Sequence, residues 1–353
     1  WISTRSTVFY SILSVGNVRC IYETAPTPRE RLQLAGTALR LGAIGPEPAP
    51  PLEEADLGRI GRRHSRSRDA AAIAHHYDVG NYFYELVLGP SMVYSCAVWA
   101  TPDTGLEAAQ EAKLDLVCRK LGLTPGSRLL DVGCGWGSMA IHAAQRYGAT
   151  VVGITLSEEQ AQLARKRVAE AGLTDRIEIR VQDYRAVEDG PFDAISSIGM
   201  AEHVGRDQMP EYARRLHDLL RPGGRLLNHA IAWNAGTTTW NPDTFIARYV
   251  FPDGELLGLG EMVGLLEAGG QLEVLDVEAL RQHYALTLRA WVRRLEEHWD
   301  AAVAASSQGR ARVWRLYMAA CALAFEAGDM GVNQVLLRRP GGEEPPLRRS
   351  DWV

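Results

Sequence analysis

The chain has 353 residues, 46% of them hydrophobic, and a formal net charge of −5. That length and apolar content allow one large core with a small accessory segment and exclude extensive disorder, and the acidic balance argues against whole-molecule attraction to nucleic acid. No apolar run reaches the roughly 18 residues of a membrane span, and the N-terminal residues lack the ordered regions of a signal peptide.

The five cysteines, Cys20, Cys96, Cys118, Cys134 and Cys321, form no CxxC pair and no metal-like cluster, which predicts free thiols in a reducing cytoplasm, no disulfide and no metal. In chain order, residues 1–27 alternate weakly as strand or loop, and RERLQLAGTALRLGAI reads as a helix. GPEPAPPLEEADLG, residues 45–58, is a linker without apolar period. GRIGRRHSRSR, residues 58–68, carries five arginines and is either a solvated loop or a patch for lipid phosphate groups. These segments make 1–69 an accessory segment and linker, followed by an α/β domain at 70–340 and a tail at 341–353.

Within the domain, AAAIAHHYDVGNYFYELVL and LEAAQEAKLDLVCRKLGL are helical. SRLLDVGCGWG then predicts a strand ending in a glycine loop, with SMAIHAAQRYG as the following helix. ATVVGITL, IEIRVQD, FDAISSIG and RLLNHAI read as further strands. SEEQAQLARKRVAEAG and MPEYARRLHDLLRPGG read as helices, the first capped by Ser157. Alternation of this kind predicts a doubly wound, mostly parallel sheet of Rossmann-like type. Residues 232–270 look irregular and long enough to cover the site as a lid insertion. Leu288, Trp291, Leu295, Trp299 and Val303 form an apolar stripe that belongs to the core.

In an open α/β sheet the ligand lies beyond the carboxyl ends of the strands, where Gly133, Gly135 and Gly137 let a backbone approach it. Their spacing departs from the G-x-G-x-x-G dinucleotide fingerprint, and Asp131 completes the D-x-G-x-G-x-G pattern of methyltransferases that use S-adenosylmethionine. The same rule places Thr155, Leu156, Ser157 and Gln160 beside the ribose, and Asp183 and Tyr184 beside the adenine, one as acceptor and one as stacking ring.

HHYDVGNYFYELVLGPSMVYSCAVW, LLDVGCGWGS, GITLSEEQ, QDYR, SIGMAEHVG, LLNHAI, RYVFPDGEL, HYALTLRAW and YMAACALAFEAGDMGVNQV occur in that order. Together they resemble the cyclopropane-fatty-acyl-phospholipid synthases and the related mycolic-acid and 10-methylene fatty-acid methyltransferases, from Ala72 to Leu337. The resemblance implies a class I methyltransferase that adds a carbon to a cis double bond, through a carbocation deprotonated by bound bicarbonate. It places Cys96, Glu202, His229, Ile231 and Tyr284 around that bicarbonate, and Tyr94 and Ser95 on the cofactor.

It further implies an unsaturated phospholipid substrate in a bilayer, no nucleic-acid partner, a homodimer, and a cytoplasmic location, peripheral at the inner membrane surface. Since helix neighbours do not share a face, at most one of Glu202 and His203 is expected at the reacting centre. Tyr94, Trp136 and Tyr249 are candidates for cation–π stabilisation, worth roughly 0.5–2 kcal/mol each. Cys321 reads as a core residue. Ala201 replaces the family's usual bulky residue, and this predicts a wider pocket. A methylene product, C-methylation of a soluble metabolite and a non-catalytic lipid-binding role remain as alternatives. A nucleic-acid methyltransferase is disfavoured, because the chain lacks an N/D-P-P-aromatic motif.

Overall fold

Five short, β-branched-rich runs separated by amphipathic segments become the parallel half of one sheet. A computed structural model describes residues 61–77, 80–234 and 244–349. The helix expected near residues 29–44 and the linker lie outside these.

Three helices come first: α1 (Arg66–Tyr77), α2 (Asn81–Leu88) and α3 (Leu106–Leu121). Gly80, at φ 106°, caps α2, so the single predicted helix through this region is two. The alternating core follows as β1 (Arg128–Val132), α4 (Ser138–Tyr147), β2 (Thr150–Thr155), α5 (Glu158–Glu170), β3 (Ile177–Val181), β4 (Phe192–Ile198), α6 (Met209–Leu219) and β5 (Leu220–Trp233). Ser157 caps α5 as expected, accepting from the Gln160 amide. α6 ends five residues before its predicted limit, because Leu220 already pairs with Phe192 of β4.

The stretch that looked irregular contains α7 (Phe245–Tyr249) and α8 (Leu259–Gly270). β6 (Glu273–Ala279), α9 (Arg281–Glu297), α10 (Trp299–Ala305), α11 (Gln308–Ala327) and β7 (Met330–Arg338) complete the order. The seven strands lie as β3-β2-β1-β4-β5-β7-β6. β7 enters between β5 and β6, antiparallel to both.

Residues of α3, α4 and α5 cover one face of the sheet, and residues of α6 and α8 cover the other. A third cluster joins α2, α9 and α11 above the strand ends. It takes in Leu288, Trp291 and Leu295, all at most 1% exposed, with Trp299 half-buried against it, so this part of the apolar stripe is core, while Val303 lies outside the cluster. The basic stretch is bound within the chain at two of its arginines. Arg68 reaches the Asp253 carboxylate at 2.6 and 3.0 Å, and Arg63 lies 3.3 Å from Glu255, while Arg62 and Arg66 are exposed.

Candidate active site

After β1 the chain turns through Gly133, Gly135 and Gly137 at φ 76°, 54° and 81°, a region that penalises any Cβ. Gly133 and Gly135 open onto a cavity of ≈ 130 Å³. Its wall also takes in Tyr94, Ser95, Asp131, Trp136, Thr155, Leu156, Gln160, Asp183 and Tyr184. Two expected cofactor residues stand behind this wall instead. Gly137 lets α4 begin where a Cβ would come 3.3 Å from that of Ala164. Ser157 spends its hydroxyl on the α5 cap.

Thr155 donates to Gln160 Oε1 at 2.8 Å, which fixes the amide that faces the cavity. Asp183 has a partner that the sequence did not suggest: its carboxylate accepts from the Arg185 amide at 2.8 Å and from the guanidinium at 2.8 and 2.6 Å. Burial opposes ionisation of Asp183, yet these bonds hold its pKa below the ordinary value. Arg185 also lies 5.3 Å from the centre of the Tyr184 ring, and Tyr184 packs edge-on against Tyr212. The acceptor and stacking roles expected of Asp183 and Tyr184 are therefore partly taken by Arg185.

A second cavity, ≈ 110 Å³, gathers Cys96, Glu202, His229, Ile231 and Tyr284 from four separate parts of the chain, His229 and Ile231 both lying on β5. Ile246, Leu256, Leu288, Phe325, Met330 and Val332 make the rest of its wall largely apolar. Glu202 Oε1 accepts from the Ile231 amide at 2.8 Å, while Oε2 is buried without a hydrogen-bond partner among the described residues. Burial raises Glu202 to about 7, against the opposing pull of that amide. Burial lowers His229 to about 3, so it is neutral. Gln334 Nε2 lies 3.3 Å from His229 Nδ1, and an amide NH₂ there must donate. The imidazole proton then sits on Nε2, which is buried and has no partner among the described residues. Cys96 is fully buried, which pushes its thiol up, and its Sγ lies 3.7 Å from the Leu280 carbonyl.

The two cavities share Tyr77, Tyr94, Ser95, Gly199 and His203. Several expectations change here. Glu202 lines the second cavity and His203 lines both. Their short 3₁₀ turn, Ala201–His203, lies between the cavities, so neighbours face two sides of one site. Ala201 points elsewhere, into the core with Met209 and Tyr212, and does not widen the pocket. Tyr249 packs on Phe245 and lines neither cavity, whereas Tyr94 and Trp136 do face the first. Cys321 lines the second cavity as well as belonging to the core. Sequence reasoning missed Lys113, Arg185 and Tyr77. Tyr77 stands inside the HHYDVGN motif and Arg185 inside QDYR, which were the available signals; Lys113 carried none.

A sheet of order 3-2-1-4-5-7-6 with a D-x-G-x-G-x-G loop at the end of β1 defines a class I S-adenosylmethionine-dependent methyltransferase. Within that class, the chain belongs to the mycolic acid cyclopropane synthetase family, whose sequence model matches residues 64–335. It is 48% identical over 346 residues to a Mycobacterium tuberculosis protein named "Probable fatty acid methyltransferase", covering 94% of this chain and 81% of that one. It is 39% identical over 273 residues to the cyclopropane-fatty-acyl-phospholipid synthase of Escherichia coli, covering 77% and 68%. The solved mycolic acid cyclopropane synthase CmaA1, in complex with SAH and CTAB, superposes with a TM-score of 0.71 at 32% identity, covering 76% of this chain and 98% of that one. The family is one of S-adenosylmethionine-dependent lipid methyltransferases and cyclopropane synthases.

Proposed function

We propose that this enzyme adds a methylene carbon to the cis double bond of an unsaturated phospholipid acyl chain, producing a cyclopropane ring. The observation that carries this reading is the meeting of the two cavities: a glycine-loop site opens onto an apolar chamber whose few polar atoms include two buried, unpartnered ones. Bound in the first, S-adenosylmethionine supplies an electrophilic methyl group. The double bond supplies the electron pair and is left as a carbocation, which closes to the ring on losing one proton.

A bicarbonate ion held in the second cavity supplies the base, and the residues there fit a small oxyanion. Glu202, protonated up to about pH 7, donates from its unpartnered oxygen. His229 donates from Nε2, held in that tautomer by Gln334. Tyr284 brings a phenol that burial keeps neutral. The Ile231 amide orients Glu202. Burial also keeps the thiols of Cys96 and Cys321 protonated, so neither presents the thiolate that would capture a cation. Tyr77 and Tyr94, common to both cavities, offer aromatic faces where positive charge develops.

The test is incubation with methyl-labelled S-adenosylmethionine and vesicles of unsaturated phospholipid, followed by mass spectrometry of the released fatty acids. A product one carbon heavier that resists hydrogenation is expected. A product that takes up hydrogen would assign the methylene outcome, and label in no lipid would overturn the reading. With Ala201 turned into the core, a soluble metabolite has lost the feature that favoured it.

A further inference from the structure

Arg167 stands half-buried in the last turn of α5, the helix that packs on the glycine loop where Ala164 meets Gly137. Its Nη1 donates to the Trp136 carbonyl at 2.5 Å and to Ser138 Oγ at 3.0 Å. Nη2 donates to the carbonyls of Ser91 at 3.1 Å and Pro90 at 3.5 Å. Ser138 Oγ passes its own proton to the Ser91 carbonyl at 2.5 Å. None of the four acceptors is charged. Burial works against the guanidinium here, and its planar fork is put to joining two stretches of backbone, which a point charge does poorly.

Trp136 and Ser138 close the glycine loop and line the first cavity. Pro90 and Ser91 open a segment that runs through Met92 and Val93 along the first cavity, through Tyr94 and Ser95 along both, and to Cys96 in the second. Its far end is fastened elsewhere: Gln110 donates to the Ser95 carbonyl at 3.0 Å, and the Ala97 amide donates to Thr287 Oγ1 at 3.1 Å. Between these anchors Met92 has φ 51°, a left-handed conformation that a residue with a Cβ keeps only where its surroundings hold it. Arg167 itself lines neither cavity.

We propose that Arg167 is a positioning residue for methyl transfer: it sets the border segment, residues 92–96, against the glycine loop and so aims the methyl donor of the first cavity at the double bond in the second. This rests on the function proposed above. The glycine loop keeps bonds of its own, from the Gly133 and Cys134 amides to the Ile154 carbonyl, both 2.9 Å. Loss of Arg167 therefore frees the border segment and leaves the cofactor's floor in place.

Steady-state kinetics with S-adenosylmethionine and vesicles of unsaturated phospholipid test this, beside calorimetric titration with S-adenosylhomocysteine. Arg167→Met keeps the stem without a donor, and Arg167→Lys keeps the charge without the fork. A misplacement of about 1 Å costs up to about 100-fold in rate. The expected result is a kcat lower by on the order of 10–100-fold, less so in Arg167→Lys, with both KM values and S-adenosylhomocysteine affinity within about threefold of the wild type. Unchanged kcat would overturn the role, and so would equal losses of kcat and affinity, the mark of a merely structural arginine.

A second readout needs no turnover. In methyl-labelled methionine NMR spectra of the S-adenosylhomocysteine complex, the Met92 signal should shift in Arg167→Lys while those of Met209 and Met262, in the cluster under α6 and α8, stay. A Met92 signal that does not move would refute the tie, and Arg167→Lys carries both measurements if Arg167→Met does not fold. Wild-type protein that labels no phospholipid would overturn the function proposed above and this role with it, whereas an active wild type with equally active variants would overturn the role alone.

Discussion

Glu202 combines two properties that separate experiments can read. Its unpartnered oxygen faces the apolar cavity, so Glu202→Gln should abolish methyl transfer while leaving S-adenosylhomocysteine binding within about twofold; loss of both would make the residue structural. Its burial should also appear in stability. Below pH 4.5 the carboxyl is protonated whether the chain is folded or not, and its favourable contribution is complete. As the pH rises toward and through about 7, the unfolded chain gains by ionising first. The wild type should then lose about 3 kcal/mol relative to Glu202→Gln between those limits, measurable by urea titration at pH 4.5 and 8. Cys134 is buried in the glycine loop, packed against Gly153 of β2. Its Sγ would be 3.1 Å from a Cβ on Gly153, and Ile179 Cδ1 would be 2.8 Å away. Gly153→Ala should therefore cost about 1–3 kcal/mol by overpacking, seen as a lower denaturation midpoint.

At the scale of elements, periodicity located most helices and strands, and its failures have local causes. The run through α6 looked helical beyond Leu219 because strand pairing with β4 is not a local property. α8 was hidden by its own glycines, including Gly269 and Gly270, which allow close approach to the backbones of Pro210 and Ala213 of α6. The basic stretch that runs into α1 was legible only as charge. Nothing near it in sequence announces that Arg68 meets Asp253, 185 residues away. Asp253 is 5% exposed, so Arg68→Ala leaves it without the guanidinium that holds its carboxylate. A loss of about 2–3 kcal/mol is expected, together with faster proteolysis of residues 61–77 under native conditions. Unchanged cleavage would mean that this ion pair does not hold α1 in place.

Over the whole molecule, the doubly wound sheet and the glycine loop were within reach of the sequence, because both rest on contiguous patterns. The position of β7 and the joining of the cavities were not, since they bring Tyr77, Tyr94, Glu202, His229 and Tyr284 together from elements far apart in the chain. Motif resemblance nominated most of those residues. It did not show that the Ile231 amide binds Glu202, or that His203 lines both chambers. A ligand enclosed in this way stabilises the fold by mass action. S-adenosylhomocysteine at 100 times its dissociation constant should add about 2.7 kcal/mol and raise the melting temperature by several degrees; no shift would deny the first cavity its ligand.

One arrangement bears on traffic. α1 lays Asp69, Ile73 and Tyr77 along the first cavity, and through Arg68 it grips Asp253, whose neighbours Phe251 and Gly254 line the second. Two residues further on, the Glu255 amide is bonded to the Glu202 carbonyl. One helix and the loop it holds thus border both cavities. Displacing α1 would therefore disturb the walls of both cavities and, through Glu255, the turn that carries Glu202.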